Sequence, residues 1–301
     1  MASAVASFTT SYLNRSPYIT LAQFKNAPTA LDVSNLVANG TQAQQDQELT
    51  NQIARASSWM DSYVAGVEGT ICATLNTEVT RIRADRRGYL RVPCSWRPVL
   101  EVQSLQIAYT PALWTKVDLT NTIVENSGFV VSSGFGLTTS QGPLSLGTGI
   151  PGQQMWAQFT YVNGWANTTL TASTLAGATS ITVVSSVGLY AGMPVQIPDG
   201  SNSETVVIAA SYPVDGGNVI PLVSPAVYAH AAGVGFTVLP PSIQQAAILL
   251  TSALIKTRGD SAIVLSDISS KVGHVEGFGT GMEEDVAIAM ELLEPLRGFY
   301  V

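Results

Sequence analysis

Residues 167–238 contain no lysine or arginine, although they hold three acids, Asp199, Glu204 and Asp215. Turn residues such as Gly177 and Gly188 separate short β-prone runs along this stretch. The runs are 180–185, 194–197, 204–209, 219–223 and 234–239. Short strands at such spacing are typical of a small β-barrel or β-sandwich. We therefore expect 167–238 to form a separate all-β domain within the chain.

Helical periodicity precedes this stretch. Thr20 and Gln23 fit a capping box, which predicts a short helix to about Asn26. Thr41 and Gln44 fit a second capping box. The apolar stripe that follows, at spacings of four and three residues, is Leu49, Ile53, Ala56, Met60, Tyr63 and Val67. This stripe predicts a long helix over 41–67.

Two further helices are predicted after residue 238. Pro240 and Pro241 suit the start of a helix over 243–258. The face opposite its apolar stripe carries only Gln, Ser and Thr, so we expect this helix to be buried on more than one side. The last helix is predicted over 283–294, with three acids where the helix dipole favours anions and with Pro295 at its end. A long connection, 259–282, joins the two.

Residues 71–165 have the two-residue period of β-strands. Apolar residues alternate through 100–109, with a phase slip at Gln103 and Ser104 that predicts a β-bulge. They alternate again from Met155 to Tyr161, which predicts a strand ending near Asn163. Glycine- and serine-rich connections separate the two runs.

These patterns predict an α+β fold, in which a small helical bundle with β elements carries an inserted all-β domain. We expect residues 1–17 to be an N-terminal tail, 18–166 and 239–301 to form one discontinuous core, and 167–238 to be the inserted barrel or sandwich. The most apolar stretch, 246–255, is about half the roughly 20 residues that a membrane-spanning helix needs. We therefore expect no contact with a membrane.

Charge is sparse and unevenly placed. Charged residues are 12% of the chain, about half the usual share, and the net charge is −7. One segment, 81–97, holds a single acid and six arginines: Arg81, Arg83, Arg86, Arg87, Arg91 and Arg97. The rest of the chain has 8 basic and 20 acidic residues. The segment is either a solvated β-hairpin or a docking strip that forms a subunit interface with an acidic neighbour. Tight DNA binding is not expected, because the chain as a whole is acidic.

No motif for catalysis or for a cofactor is present. His230 and His274 lack the spacing of a zinc motif, and Cys72 and Cys94 are too far apart for a CxxC pair. The glycines at 277–281 precede a helix, but the acids at 283–285 would repel a phosphate there. We expect a protein that is not an enzyme and that binds neither a metal nor a cofactor.

The order of several short segments resembles the head-to-tail connector proteins of long-tailed bacteriophages, also called adaptor or head-completion proteins. The resemblance covers 18–166 and 240–297. It rests on Tyr18-Ile-Thr-Leu21, Gly88-Tyr-Leu-Arg-Val-Pro93, the run from Arg97 to Ile107, Tyr161-Val-Asn-Gly-Trp165, the run from Pro240 to Leu250, Thr257-Arg258 and Leu292-Leu-Glu-Pro-Leu-Arg297. In that family the Asn-Gly-Trp strand leads almost directly into the proline-started helix, whereas residues 167–238 intervene here and look like small β modules that decorate phage virions.

The resemblance implies a structural role in the virion, in the neck between head and tail, after assembly in the host cytoplasm. Such proteins form a ring, usually of twelve subunits, that binds the portal protein and the next neck or tail-completion protein. DNA passes through the ring without sequence-specific binding. Adaptor C-terminal segments commonly engage the portal, which makes the C-terminal residues candidate portal contacts: Leu296, Arg297, Phe299, Tyr300 and Val301.

Two other interpretations remain open at this point. The chain could be a virion decoration or carbohydrate-binding protein whose β module is the binding head, or an enzyme of unfamiliar type. Sugar-binding platforms need exposed aromatic rings, but 167–238 has no tryptophan and only Tyr190, Tyr212 and Tyr228. The C-terminal tail could also fold back onto its own helices instead of binding a neighbour.

Overall fold

The computed structural model describes residues 16–29, 31–65, 69–83, 89–110, 113–131, 136–139, 142–145, 154–213, 216–257 and 280–297. Side chains are described for all of these except 136–139, 142–145 and 280–283. The fold is mixed α+β. The chain divides into two compact units, one of Met1–Gly69 and Pro240–Leu292 and one of Thr70–Leu239 and Leu293–Val301. The placement of 167–238 as an inserted domain stays a prediction.

The first unit is helical. Helix α1 (Leu21–Asn26) begins at the predicted capping box, in which Gln23 N–H donates to Thr20 Oγ1 at 3.2 Å and Thr20 N–H donates to the Gln23 side chain at 2.7 Å. The same reciprocal bonds join Thr41 and Gln44 where helix α2 (Gln42–Ala65) begins. They satisfy amides that have no partner inside the first turn. Both predicted helix starts are confirmed.

Helix α2 packs against helix α3 (Pro241–Lys256). The predicted stripe of α2 supplies buried Leu49, Ile53 and Met60, and α3 supplies Ile243 and Leu250. Burying a side chain of this size stabilises the fold by roughly 1.5–3 kcal/mol relative to leaving it exposed.

Helix α3 is also buried on its polar side, as expected. Thr251 and Ser252 are buried, and their hydroxyls donate to Ala247 O at 2.7 Å and Ile248 O at 2.9 Å. Each hydroxyl is thus satisfied within its own helix, which removes the cost of burying it unpaired.

Polar side chains fasten the segment around α1 to the longer helices. The Tyr18 hydroxyl donates to the buried Asp61 carboxylate of α2, and the Tyr18 N–H donates to Ser57 Oγ at 3.1 Å. The Gln23 side chain of α1 donates to the Gln244 side chain of α3 at 3.1 Å. These bonds set the position of α1 although it is only six residues long.

The last helix, α4 (Thr280–Arg297), is longer than predicted. The expectation that Pro295 ends it is wrong, because the helix continues through Pro295 to Arg297. A proline so close to the C-terminus removes a backbone N–H from only the last turn. Leu293 and Leu296 are buried on either side of it, and burial favours the helical continuation. The predicted connection 259–282 lies almost wholly outside the described residues.

Among its described residues, the second unit has five sheets, in which all paired strands are antiparallel. Its strands are β1 (Thr74–Arg83), β2 (Leu90–Pro93), β3 (Val99–Ala108), β4 (Thr115–Lys116), β5 (Thr122–Glu125), β6 (Gly128–Val131), β7 (Gly136–Thr139), β8 (Gly142–Ser145), β9 (Gln154–Asn163), β10 (Asn167–Thr169), β11 (Ser180–Thr182), β12 (Pro194–Ile197), β13 (Glu204–Val207), β14 (Val219–Pro221) and β15 (Gly235–Thr237). Before residue 164 the sheets have the orders β1-β9-β3-β4, β2-β6-β5 and β7-β8. After it they are β10-β15-β12-β13 and β11-β14.

Two separate apolar clusters stabilise this unit. One gathers inward residues of β1, β2, β3, β6 and β9, including Phe129, Phe159 and Tyr161. The other lies within 166–236 and includes Val195 and Phe236. The strands predicted after residue 167 are all present, but within the described parts of the chain their sheets do not close into a barrel. Of the two predicted architectures, the barrel is therefore wrong.

The predicted bulge in β3 is confirmed. Val102 pairs with Tyr161 and Ser104 with Thr160, so Gln103 is the extra residue. The slip returns Leu105 and Ile107 to the inner face, where both are buried.

Gly164 turns the chain at the end of β9. Its φ is +87°, and a Cβ there would lie 2.6 Å from Cys72 O and 2.7 Å from Ile71 O. The neighbouring Trp165 N–H donates to Ile71 O at 3.0 Å. Only glycine fits this left-handed position without displacing backbone.

Candidate functional site

The arginine segment is divided between two sheets. Arg81 and Arg83 lie on β1, which pairs with β9, whereas Arg91 lies on β2, which pairs with β6. The hairpin interpretation is therefore wrong, because the strands on either side of 84–88 are not partners. Arg86 and Arg87 lie outside the described residues.

Arg81 and Arg83 are exposed on the outer face of the first sheet, opposite its apolar cluster. The Arg81 guanidinium lies 4.4 Å from the centroid of the Trp156 ring, directly across from it on β9. A cation over an indole face is attracted by the ring quadrupole, which orients this arginine. Lys116 on β4 is exposed on the same face, because it pairs with Gln106, which pairs in turn with Gln158.

The other two described arginines do not join this face. Arg91 lies 3.7 Å from Glu125 in an exposed ion pair on the neighbouring sheet. Arg97 Nε donates to Cys94 O at 3.5 Å. Of the four candidate interface arginines that the structure describes, Arg81 and Arg83 share one face, and the structure adds Lys116, which lies outside the arginine segment of the sequence.

The candidate portal contacts are only partly described. Leu296 is buried in α4, and Arg297 forms an ion pair with Glu294 at 3.2 Å one turn earlier. Phe299, Tyr300 and Val301 lie outside the described residues. The two candidates that can be assessed are therefore helical residues, and Arg297 is the exposed one.

An open pocket of about 600 Å³ adjoins β1 and the segment after β2, lined by Glu78, Val79, Thr80, Pro93, Cys94, Ser95 and Arg97. The Glu78 carboxylate accepts bonds from the buried Tyr161 hydroxyl and from the Ser95 hydroxyl at 2.9 Å. The Tyr161 hydroxyl in turn accepts from Trp96 N–H at 3.0 Å. These bonds hold the segment after β2 against the sheet.

The pocket offers little reactivity. Burial, together with the nearby Glu78 charge, raises the pKa of the Cys94 thiol to about 12, so the nucleophilic thiolate is scarce near neutral pH. Burial and the bond to Glu78 likewise raise the pKa of Tyr161. Glu78 was not predicted as a site residue. It lies four residues before the inward-facing Ile82, and this even spacing indicates that both side chains are on the same face of β1.

A second polar cluster lies in the 167–238 region. The His230 side chain has no exposed surface, with Nδ1 2.9 Å from Asp199 Oδ2 and Nε2 2.8 Å from Glu204 Oε1. Glu204 also accepts the N–H groups of Val227 at 2.9 Å and Tyr228 at 3.2 Å. Asp199 follows β12 and Glu204 begins β13, so the cluster ties the 227–230 segment to that hairpin.

The electrostatics of this cluster favour ionised Glu204. Burial alone would raise the pKa of Glu204, but hydrogen bonds from Val227, His230 and Tyr228 outweigh it and hold that pKa below its ordinary value. The cluster was not predicted from the sequence, because His230 lies 26 and 31 residues from its two acidic partners and lacks the spacing of a zinc motif. The composition of 167–238 could have indicated it, because the acids of this region have no lysine or arginine within it to pair with and His230 is its one histidine.

Two features are absent from the residues that the structure describes. No group of three or more His, Cys, Asp or Glu side chains in them could hold a metal ion. None of the described helices is long and apolar enough to cross a bilayer.

Of the three tyrosines in 167–238, Tyr212 is buried and its hydroxyl bonds to Gly217 O at 3.0 Å. Tyr190 and Tyr228 are 46% and 41% exposed. Two rings of the region therefore face solvent.

Comparison of the chain with protein-family models, curated proteins and solved structures finds no match.

Proposed function

We propose that this chain is a non-catalytic structural protein of a phage virion, which forms a ring below the portal, joins head to tail and extends the DNA channel. The observation that carries the proposal is the order of the elements. A capped short helix, a long amphipathic helix, a bulged strand, an Asn-Gly-Trp turn and a proline-started helix follow one another in the order of the connector proteins. The matching elements are spread along the chain from residue 21 to residue 256, so the proposal does not depend on one short segment.

The packing of the helices supports the same proposal. Helices α2 and α3 pack together although the β strands lie between them in the sequence. A helical bundle interrupted by β elements is the architecture that the resemblance implies. Residues 167–238 leave and rejoin the rest of the chain at neighbouring points, since Val238 N–H donates to Ala166 O at 2.9 Å. We therefore also propose that they form an inserted β-sandwich domain.

The sparse charge fits a protein whose surface is covered by neighbours and whose net charge repels DNA. Twelve copies at −7 each would give a ring with on the order of −80 charges, enough for a substantial repulsive field at short range. DNA would then slide through the channel, because few cations are available to bind phosphates.

The proposal is tested by mixing the purified chain with the portal protein of the same virus. Negative-stain microscopy and light scattering should show rings of about twelve subunits, as the resemblance implies, that cap the portal. A chain that stays monomeric and never joins the portal would overturn the proposal.

The portal contact can be tested separately with a chain that ends at Arg297. This truncation removes Phe299, Tyr300 and Val301 but keeps all of α4. Loss of portal binding at an unchanged melting temperature supports a C-terminal anchor. Unchanged portal binding, or a lower melting temperature of the isolated chain, shows that these residues are not the anchor.

A carbohydrate-binding virion protein is the second candidate, and the exposure of Tyr190 and Tyr228 favours it. Exposed rings of this kind can stack against sugars. A glycan array separates the two candidates, because binding that is lost in Tyr190→Ala and Tyr228→Ala would favour the second.

A further inference from the structure

The outer face of the β1-β9-β3-β4 sheet carries cations along both margins. Arg81 and Arg83 line one margin on β1, and Lys116 lines the other on β4. We call this surface the basic face, defined as Thr77, Val79, Arg81, Arg83, Gln106, Lys116, Trp156, Gln158 and Thr160. None of these nine residues is an acid. Asp118, which is exposed two residues after Lys116, lies beside the β4 margin, and Glu101 pairs with Val162 beyond the end of the face.

The floor of the basic face is uncharged and suits a helix. Between the margins lie β9 and β3, with Trp156, Gln158 and Gln106 half-buried on this side. Three strand spacings separate β1 from β4, or about 14 Å. An α-helix with its side chains is about 10–12 Å across, so one helix would fit between the two arginines on β1 and Lys116 on β4.

Helix α4 has an exposed strip of complementary chemistry. Glu284, Ile288 and Glu291 lie at positions i, i+4 and i+7, which places them on one side of the helix. All three are exposed, and Ile288 is 40% exposed. The side opposite carries buried Val286 and Leu293.

Two other acids of α4 have local cationic partners. Asp285 forms an ion pair with Lys256 at 2.6 Å, and Glu294 forms one with Arg297 at 3.2 Å. The charge of the exposed strip therefore comes from Glu284 and Glu291, with apolar Ile288 between them. We call these three residues the acidic strip.

We propose that the acidic strip of one copy of this chain docks on the basic face of the next copy. The carboxylates would meet the cationic margins, and Ile288 would cover Val79 or the Trp156 edge on the floor. The two surfaces are different parts of one chain, so the contact is heterologous, and a heterologous contact forms a closed ring when its rotation closes. The inference rests on the proposed ring and names the two surfaces that would build it.

Nucleic acid is the competing occupant of the basic face. Three cations on a chain of net charge −7 make a weak phosphate-binding surface, and most of the chain would repel the same ligand. An acidic helix of a second copy is attracted by the same cations and also covers the exposed apolar groups.

Paired charge reversals test the proposal. One variant carries Arg81→Glu and Arg83→Glu, and another carries Glu284→Lys and Glu291→Lys. Each alone places like charges in contact and should weaken assembly by about tenfold or more, measured by light scattering and analytical ultracentrifugation. An equimolar mixture should recover rings, because each reversed surface then meets an oppositely charged one.

Two more variants keep the test independent of folding. Lys116→Glu reverses the other margin without touching the Arg81–Trp156 stack and should weaken assembly in the same direction. Arg55→Glu, at an exposed arginine of α2 outside both surfaces, should leave assembly unchanged. Circular dichroism checks that every variant retains its fold.

The outcomes separate this inference from the proposed function. Rings that form equally well in both reversed variants, or a mixture that does not recover them, overturn the pairing of the surfaces and leave the ring itself intact. A wild-type chain that never assembles overturns both. Loss of retained double-stranded DNA in the Arg81/Arg83 variant, with its rings unchanged, would assign the basic face to nucleic acid instead.

Discussion

His230 Nε2 lies 2.8 Å from Glu204 Oε1, in a site where the imidazole has no exposed surface. The second ring nitrogen lies 2.9 Å from Asp199. Each ring nitrogen thus lies within hydrogen-bond distance of a carboxylate oxygen, and the imidazole bridges the two acids. This one side chain therefore joins three segments of the 167–238 region.

Replacing His230 by alanine should strongly destabilise this region. The change removes the buried ring and its contacts to both carboxylates, which we expect to lower the free energy of unfolding by about 3 kcal/mol or more. Urea denaturation followed by circular dichroism measures it. Arg91→Ala is the control, because its ion pair with Glu125 is exposed and should contribute less than about 1 kcal/mol. Equal effects of the two changes would refute a structural role for the cluster.

The same cluster should make stability depend on acid pH. The pKa of Glu204 is lower in the folded protein than its ordinary value of 4.5, so its stabilisation is present above pH 4.5 and is lost as the pH falls through the folded-state pKa. Wild type should therefore lose more stability than Glu204→Gln between pH 6 and pH 3, by urea denaturation at each pH. Parallel curves for the two proteins would contradict this prediction.

Gly164→Ala should be much more damaging than Gly177→Ala. Both glycines have φ near +87°, but a Cβ at Gly164 meets two backbone oxygens whereas a Cβ at Gly177 meets nothing within 4 Å. Gly177→Ala should cost only the left-handed conformation, about 1–2 kcal/mol. Gly164→Ala adds a clash with two backbone oxygens, so its melting temperature should be lower than that of Gly177→Ala. Equal melting temperatures of the two variants would show that the turn at Gly164 is not tightly packed.

Tyr161→Phe should lower the free energy of unfolding by about 1–3 kcal/mol, because it removes the donor to Glu78 and the acceptor of Trp96 N–H inside the protein. Tyr109→Phe is the matched control. Tyr109 is 47% exposed, so the same change there should stay within about 0.5 kcal/mol. Comparable losses in chemical denaturation would argue against the buried network.

Residues 168–237 should be removable without loss of the helical unit. Asn167 pairs with Thr237, so a short linker can join the two ends without moving either. Circular dichroism of the deletion should retain the helical signal. Removing only 180–223 should be worse tolerated, since it leaves Leu170 and Phe236 without much of the cluster that buries them. Loss of helix in the full deletion would show that the region belongs to the same cooperative core.

Features set by neighbouring residues were predictable from the sequence. The capping boxes at Thr20 and Thr41, the stripe of α2 and the bulge at Gln103 all depend on contacts within a few residues or on a strict period. The end of α4 was mispredicted, because the local preference of Pro295 is weaker than the burial of Leu293 and Leu296 around it.

Most helices and several strands could be assigned from the sequence, since periodicity and capping act through nearby backbone groups. Which charged residues share a surface depends instead on how the strands pair in the folded chain. Strand pairing placed Arg81 beside Trp156 and on one face with Lys116, while it moved Arg91 to another sheet. It also brought Asp199 and Glu204 to His230. Such neighbours arise from long-range pairing between strands, and the spacing of residues along the chain carries no direct record of that pairing.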